Sequence, residues 1–156
     1  MMTRHLLSLL VFLTIVMGGG IAIGIATAPG EWYGGLIKPA FNPPNWIFGP
    51  VWTILYVFIA IAGWRSWRRD RNGGAMNAWY VQMLLNFLWS PLFFAAQRID
   101  LAFGVILLLL GSIIVFVART WDQDRLSAIL FLPYAAWVAF ASTLNGSLLF
   151  LNWANG

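Results

Sequence analysis

"LLSLLVFLTIVMGGGIAIGIATAPG", from Leu6 to Gly30, contains no charged residue, and its reading decides the fold. Arg4 and His5 precede it, and Ala26-Thr27-Ala28 imitates the small-x-small site at which a secretory signal is cut. A signal core holds only about 7–15 apolar residues. This run continues through Gly20, Ile21, Ile23 and Ile25, and Pro29 would follow the cut, so it reads as a retained helix. About 20 residues at roughly 1.5 Å rise cross the roughly 30 Å of bilayer hydrocarbon, and the run is long enough to do so.

The rest of the chain repeats the pattern. Further charge-free intervals run from Pro39 to Trp64, Asn72 to Gln97, Leu101 to Ala118 and Leu126 to Gly156. Soluble domains carry about 25 % charged residues. Here only 9 % are charged and 61 % are hydrophobic, which places the chain in a membrane. The expected architecture is an all-α integral membrane protein, one domain over 1–156. Its single bundle has five transmembrane helices near 5–28, 45–68, 77–97, 101–121 and 126–151, with a connector at 29–45 as a lid.

The same composition excludes several functions. Without cysteine there is no disulfide, thiolate metal site or thiol catalysis. The net charge of +4 comes from residues at helix ends, with no basic stripe for nucleic acid. His5, Glu31, Asp70, Asp100, Asp122 and Asp124 lie in connectors or at helix ends. Neither a metal-ligand cluster nor an intramembrane carboxylate relay is visible, and no catalytic residue or cofactor is expected.

Five crossings put Arg4, Arg65, Arg68, Arg69, Arg71, Arg119 and Arg125 on one side, with Lys38 and Arg98 opposite. The positive-inside rule then places the N-terminus in the cytoplasm and the C-terminus outside, if the membrane is an inner one. Inner and outer membranes are not distinguished. The densest element, "WRSWRRDRNGG" from Trp64 to Gly74, reads as an interfacial belt of Trp and Arg, with a lipid-specific basic site as the sharper alternative.

The first connector contains "WYGGLIKPAFNPPNW", Trp32 to Trp46, and falls on the opposite side. Trp52 and Tyr56 in the second helix, Asn86, Trp89 and Phe93 in the third, and Trp137, Ala141 and Asn145 in the fifth converge beneath it. Intramembrane amides commonly join helices, and Trp and Tyr favour interfaces. Trp89 and Trp137 sit too near mid-helix for that. Indoles at bilayer depth suit a flat, mostly apolar ligand oriented by a few N–H, amide and phenol groups. Pro91 and Pro133 interrupt the third and fifth helices. The glycines at 18–20 and 24, and the stripe Gly104, Gly111, Ala118, suit close helix packing or a homodimer face.

Four segments, "EWYGGLIKPAFNPP" (31–44), "GPVWTILY" (49–56), "LNFLWSPLFFAAQR" (85–98) and "LPYAAWVAFASTLN" (132–145), resemble in order and spacing the signatures of the TspO/MBR family. These are the tryptophan-rich sensory proteins, whose animal members are the translocator protein or peripheral-type benzodiazepine receptor. The resemblance spans about residues 20–146, and the compact loops look bacterial. It implies a five-helix fold, often dimeric, with membrane lipids around it. It implies a pocket under the first loop for porphyrins, sterols and synthetic isoquinoline or benzodiazepine-type ligands. It makes Trp52 and Trp137 pocket walls, places Asn86, Trp89 and Phe93 on the third helix's wall, and puts Trp32 and Tyr33 in the lid. Ala141 becomes the small position where a larger residue alters ligand binding. Animal members carry a Tyr and an Arg after the Leu-Asn pair of the last helix; here Leu144-Asn145 is followed by Gly146, Ser147, Leu148, Leu149 and Phe150, which puts sterol binding there in doubt.

Three functions stay open at this point. The first is a porphyrin-binding receptor, sensor or transporter, in which Lys38 or Arg98 pairs with a propionate or serves as a snorkelling anchor. The second is light-dependent porphyrin degradation, in which Trp52 and Trp137 are the residues exposed to photo-oxidation. The third is a membrane scaffold or regulator of tetrapyrrole and stress responses.

Overall fold

The computed structural model describes residues 2–153, and among them every regular element is helical. The helices are α1 (Met2–Ala26), α2 (Glu31–Gly35), α3 (Phe48–Arg69), α4 (Gly74–Ser90), α5 (Ile99–Thr120) and α6 (Arg125–Asn152). A 3-10 turn (Asn45–Ile47) leads into α3, and a π-turn (Pro91–Ala95) continues α4. Among the described residues the protein is thus all-helical, with six helices, four of which are long and apolar enough to cross a membrane: α1, α3 with its leading turn, α5 and α6.

The expected span over 77–97 differs from what forms. α4 starts earlier, at Gly74, and its 17 residues end at Ser90. At about 1.5 Å per residue that is roughly 26 Å, short of the hydrocarbon thickness. Pro91 is the reason: it has no N–H to continue the ladder, and the chain widens into a π-turn in which Ala96 N donates to Pro91 O at 2.9 Å. Gln97, at φ 56°, then reverses the chain from the left-handed region. Pro133, by contrast, is accommodated inside a continuous α6. The expected loop at 29–45 is also partly ordered into α2.

α5 packs against both α4 and α6, α3 bridges α1 and α6, and α1 lies at the periphery. The larger core gathers Ile59, Met76, Ile113, Phe116, Phe131 and Tyr134 towards the arginine-rich end. A smaller one, Tyr33, Phe93, Ile99, Ala102, Leu144 and Leu148, lies at the opposite end under α2. Outward faces are apolar, as Leu7, Ile25, Leu84, Leu108 and Phe150 show, an arrangement that suits lipid and not water. Gly104 and Gly111 are on such a face with open space around them, so within the chain they serve no close packing.

Candidate ligand cavity

A cavity of about 570 Å³ lies between the two cores, walled by α1, α3, α4 with its π-turn, α6 and α2, with Ile106 and Leu109 of α5 at its back. Eight of the ten residues expected at a binding site lie on its wall: Tyr33, Trp52, Tyr56, Asn86, Trp89, Phe93, Trp137 and Ala141. Trp32 and Lys38 do not. Trp32 stands behind the wall, edge-on to Phe93 with ring centres 5.9 Å apart.

The aromatic faces are held by one another. Trp89 stacks on Phe93 at 5.1 Å, Trp52 tilts against Tyr56 at 5.4 Å, and Trp137 is braced by Phe48 and Phe140 at 5.7 and 5.6 Å. The α1 glycines make room for this layer. A Cβ on Gly20 would strike the Tyr56 ring, and one on Gly19 would come within 2.6 Å of Phe87. Gly18 and Gly24 have nothing near them, so the glycine run houses aromatic rings and does not bring two backbones together.

Polar groups on the wall are bonded mainly to one another. Asn86 donates through Nδ2 to the Tyr134 hydroxyl at 2.7 Å, and that hydroxyl donates to Gln82 Oε1 at 2.9 Å. Tyr56 Oη donates, at a longer 3.4 Å, to Asn86 Oδ1. This chain of amides and phenols ties α3, α4 and α6 together at the boundary between the packed core and the cavity. Higher up, Trp89 Nε1 donates to Asn145 Oδ1 at 3.0 Å, and Asn145 Nδ2 donates to Ile99 O at 3.1 Å. Thr27 and Ser90 share a 2.7 Å hydrogen bond between the end of α1 and the end of α4. Both amides therefore join helices, and the Trp89 N–H, expected to orient a ligand, is already engaged. Trp137 Nε1 is buried without a partner among the described residues.

No Asp, Glu, Lys, Arg or His is among the wall residues. The two cations expected near the site are engaged elsewhere. Lys38 Nζ donates to the carbonyls of Tyr33, Leu36 and Gly34 at 2.7, 3.2 and 3.3 Å and lies 4.6 Å from the Tyr33 ring centre. It caps the C-terminal end of α2, where a cation is favoured. Arg98 forms a two-pronged pair with Asp100 at 2.8 and 2.6 Å. The connector is also tied to the end of α6. Asn152 Oδ1 accepts from Ile37 N and Asn152 Nδ2 donates to Ile37 O, both at 2.9 Å, as one strand would pair with another.

Tyr134, Gln82, Asn152, Thr27 and Ser90 were not singled out from sequence. Gln82 could have been, since it lies four residues before Asn86 and two amides at that spacing share one face of a helix inside an apolar run. Asn152 gives no comparable signal, because a polar residue near a helix end needs no special account.

The TspO/MBR family model matches residues 10–151. Among similar curated proteins, the Tryptophan-rich protein TspO of Archaeoglobus fulgidus is 36 % identical over 152 residues, covering 95 % of this chain and 99 % of its own. The Tryptophan-rich sensory protein of Cereibacter sphaeroides is 34 % identical over 148 residues, 91 % of each chain. The human Translocator protein is 32 % identical over 140 residues, covering 85 % of this chain and 83 % of its own.

Proposed function

This chain belongs to the TspO/MBR family of membrane proteins, and we propose that its cavity is the binding site of a receptor or sensor for flat, largely apolar ligands of the porphyrin class. The observation that carries the reading is an uncharged cavity of about 570 Å³ with aromatic faces on α3, α4 with its π-turn, α6 and the capping α2. Small-molecule sites typically enclose about 300–1,000 Å³ and are mostly apolar with a few fixed polar groups. The rings offer broad faces for stacking, and Gly24 and Ala141 leave space between them.

The absence of charge on the wall constrains the pose. A carboxylate buried there would lose its hydration without gaining a cation, so a macrocycle's propionates project out of the cavity. Lys38 and Arg98 would have to give up their present bonds to meet them. Recognition thus rests on the shape and flatness of the ring system.

In this reading α4 and the π-turn together form a fifth crossing, since their seventeen and five residues run consecutively. The arginine-rich end then faces the cytoplasm and α2 caps the opposite mouth.

The test uses purified protein in lipid nanodiscs, titrated with protoporphyrin while Trp fluorescence is followed. Saturable quenching is expected, and Ala141→Thr should weaken it by one to two decades, from the roughly 1–3 kcal/mol of added volume in a packed site. Quenching that never saturates, or an Ala141→Thr variant with wild-type affinity for both porphyrin and an isoquinoline, would reject this site.

A further inference from the structure

The arginine-rich end of the bundle holds a second, smaller cavity of about 110 Å³, between the end of α3, the start of α4 and the end of α5. It includes much of the "WRSWRRDRNGG" segment, for which the aromatic cavity has no use. Six arginines of α3, the connector after it, α5 and α6 lie at this end of the bundle, and four are engaged. Arg65 donates to Asp124 through Nε at 3.0 Å and Nη2 at 2.7 Å. Arg68, Arg71 and Arg125 lie over the rings of Trp64, Trp67 and Trp121 at 4.8, 4.0 and 4.6 Å. Arg69 and Arg119 make no ion pair or hydrogen bond from their side chains to any described residue, and these two are the arginines on the cavity wall.

Three further features converge there. Arg119 is laid against Gly74, so closely that a Cβ at that position would come within 2.7 Å of Nη1. Gly74 is the first residue of α4, and Gly73 before it has no side chain with which to cap the helix. The N–H groups of Gly74 and Ala75, both wall residues, consequently have no acceptor within the helix, and the positive end of its dipole lies at the cavity. Ser66 is on the same wall, only 5 % exposed, and its buried hydroxyl has no partner among the described residues. Buried hydroxyls normally find one.

The wall also holds two carboxylates, both turned to their own chain. Asp124 accepts from Arg65 and, at 2.6 Å, from Ser127. Asp70 accepts from Asn72 N at 3.1 Å and lies against Gly73. The donors left over are two guanidiniums, a hydroxyl and helix N–H groups, and they outnumber the acceptors that remain on the wall, Asp70 Oδ2 and the Gln123 amide oxygen. We infer that this cavity is an oxyanion site, holding one phosphate group between Arg69, Arg119, Ser66 and the N-terminus of α4. Its volume exceeds the roughly 30 Å³ of one water severalfold, enough for a tetrahedral oxyanion. The phosphate comes from a lipid headgroup or from solution.

Two arms distinguish the sources, both on the full chain. In nanodiscs of phosphatidylcholine alone, inorganic phosphate is titrated against chloride at constant ionic strength and thermal unfolding is followed. In nanodiscs containing phosphatidylglycerol, retained lipid is counted by native mass spectrometry. Arg119→Gln and Arg69→Gln should each weaken binding about tenfold or more, the loss of a charge-assisted hydrogen bond. Arg71→Gln makes the same charge change away from the cavity and should alter it less than about twofold. Ser66→Ala removes a hydroxyl that has no protein partner, so it should weaken binding without lowering stability in the absence of phosphate. It keeps the test decisive if an arginine variant fails to fold. Saturation by inorganic phosphate assigns the free oxyanion, and selective retention of phosphatidylglycerol alone assigns the headgroup. No binding in either arm, wild-type binding by Ser66→Ala together with Arg119→Gln, or an equal loss in Arg71→Gln overturns the inference.

Discussion

Asn152→Ala should loosen the cap without unfolding the bundle. The wild-type amide makes three bonds of 2.9 Å: it accepts from Ile37 N and donates to Ile37 O and Leu148 O. A typical hydrogen bond contributes about 0.5–1.5 kcal/mol net, so the pair to Ile37 is worth about 1–3 kcal/mol. Ile37 is exposed and water can replace either bond, which puts the expected loss near the lower end. About 1 kcal/mol raises the opening constant of the connector roughly fivefold. The rest of the cap keeps its anchors, because Tyr33 stays packed against Phe93 and Phe94 and Lys38 still holds the end of α2. Hydrogen exchange at the Ile37 amide should therefore accelerate about fivefold while exchange in α3 and α5 is unchanged, and porphyrin dissociation should quicken by a similar factor. Asn152→Asp sharpens the test. It retains an acceptor for Ile37 N but sets a carboxylate against the carbonyls of Ile37 and Leu148, so it should open the connector at least as much as alanine does. Wild-type exchange at Ile37 in both variants would refute the clamp, as would acceleration spread evenly over the bundle.

Gly20→Ala should force the Tyr56 ring aside and weaken its contact with Asn86, lowering porphyrin affinity by one to two decades at about 1–3 kcal/mol of overpacking; Gly18→Ala, with open space around it, should bind as wild type in the same quenching titration. Tyr134→Phe leaves Gln82 Oε1 and Asn86 Nδ2 without their shared partner and should lower stability by about 1–2 kcal/mol in denaturant titrations of the nanodisc-embedded protein, with α-helical content retained. At the other end, burial alone would raise the Asp124 carboxyl, but hydrogen bonds from Arg65 and Ser127 hold it below its ordinary value. A lowered folded value means stability that is present above the unfolded value near pH 4 and is lost as pH falls through the folded one. Arg65→Gln should therefore move the acid-side fall of the melting temperature to higher pH, and an unchanged acid limb would show that the pair does not matter.

Helix positions were legible because the bilayer demands long uncharged runs, and charge spacing alone locates α1, α3, α5 and α6 to within three residues at either end. The length of α4 was not legible. Charge spacing marks where a segment can lie in hydrocarbon, whereas Pro91 decides whether it lies there as an α-helix, and the same residue type at Pro133 leaves α6 unbroken. At Pro91 the turn widens and is closed locally, Ala96 N donating to Pro91 O and Arg98 N to Leu92 O, a difference from Pro133 that residue type alone does not carry. The cap escaped for a related reason. Prolines and glycines in Trp32–Trp46 indicate a fixed course, but the partner that fixes it, Asn152, lies 115 residues further on.

The site was legible as a set of rings and much less so as a set of donors. Helical spacing tells which residues share a face, so Trp52, Tyr56, Asn86, Trp89, Trp137 and Ala141 reach one cavity as the spacing indicated. It does not tell where an indole N–H or an amide points, because that depends on rotamer and on what the next helix presents. Trp89 looked like a donor for a ligand and bonds to Asn145, whereas Asn86, read as an amide that joins helices, is bound to Tyr134 and Tyr56. Lys38, read as a counter-ion or a snorkelling anchor, caps α2. In hydrocarbon such engagement is the expected outcome, since an amide or indole that waits for a ligand is unpaired whenever the ligand is absent. This cavity therefore satisfies most of its polar groups internally, Trp137 Nε1 excepted, and leaves the π-faces exposed. If the cavity binds as proposed, selection among ligands falls to flatness and width, which fits a wall that combines rigidly braced rings with the small residues Gly24 and Ala141 instead of convergent charges.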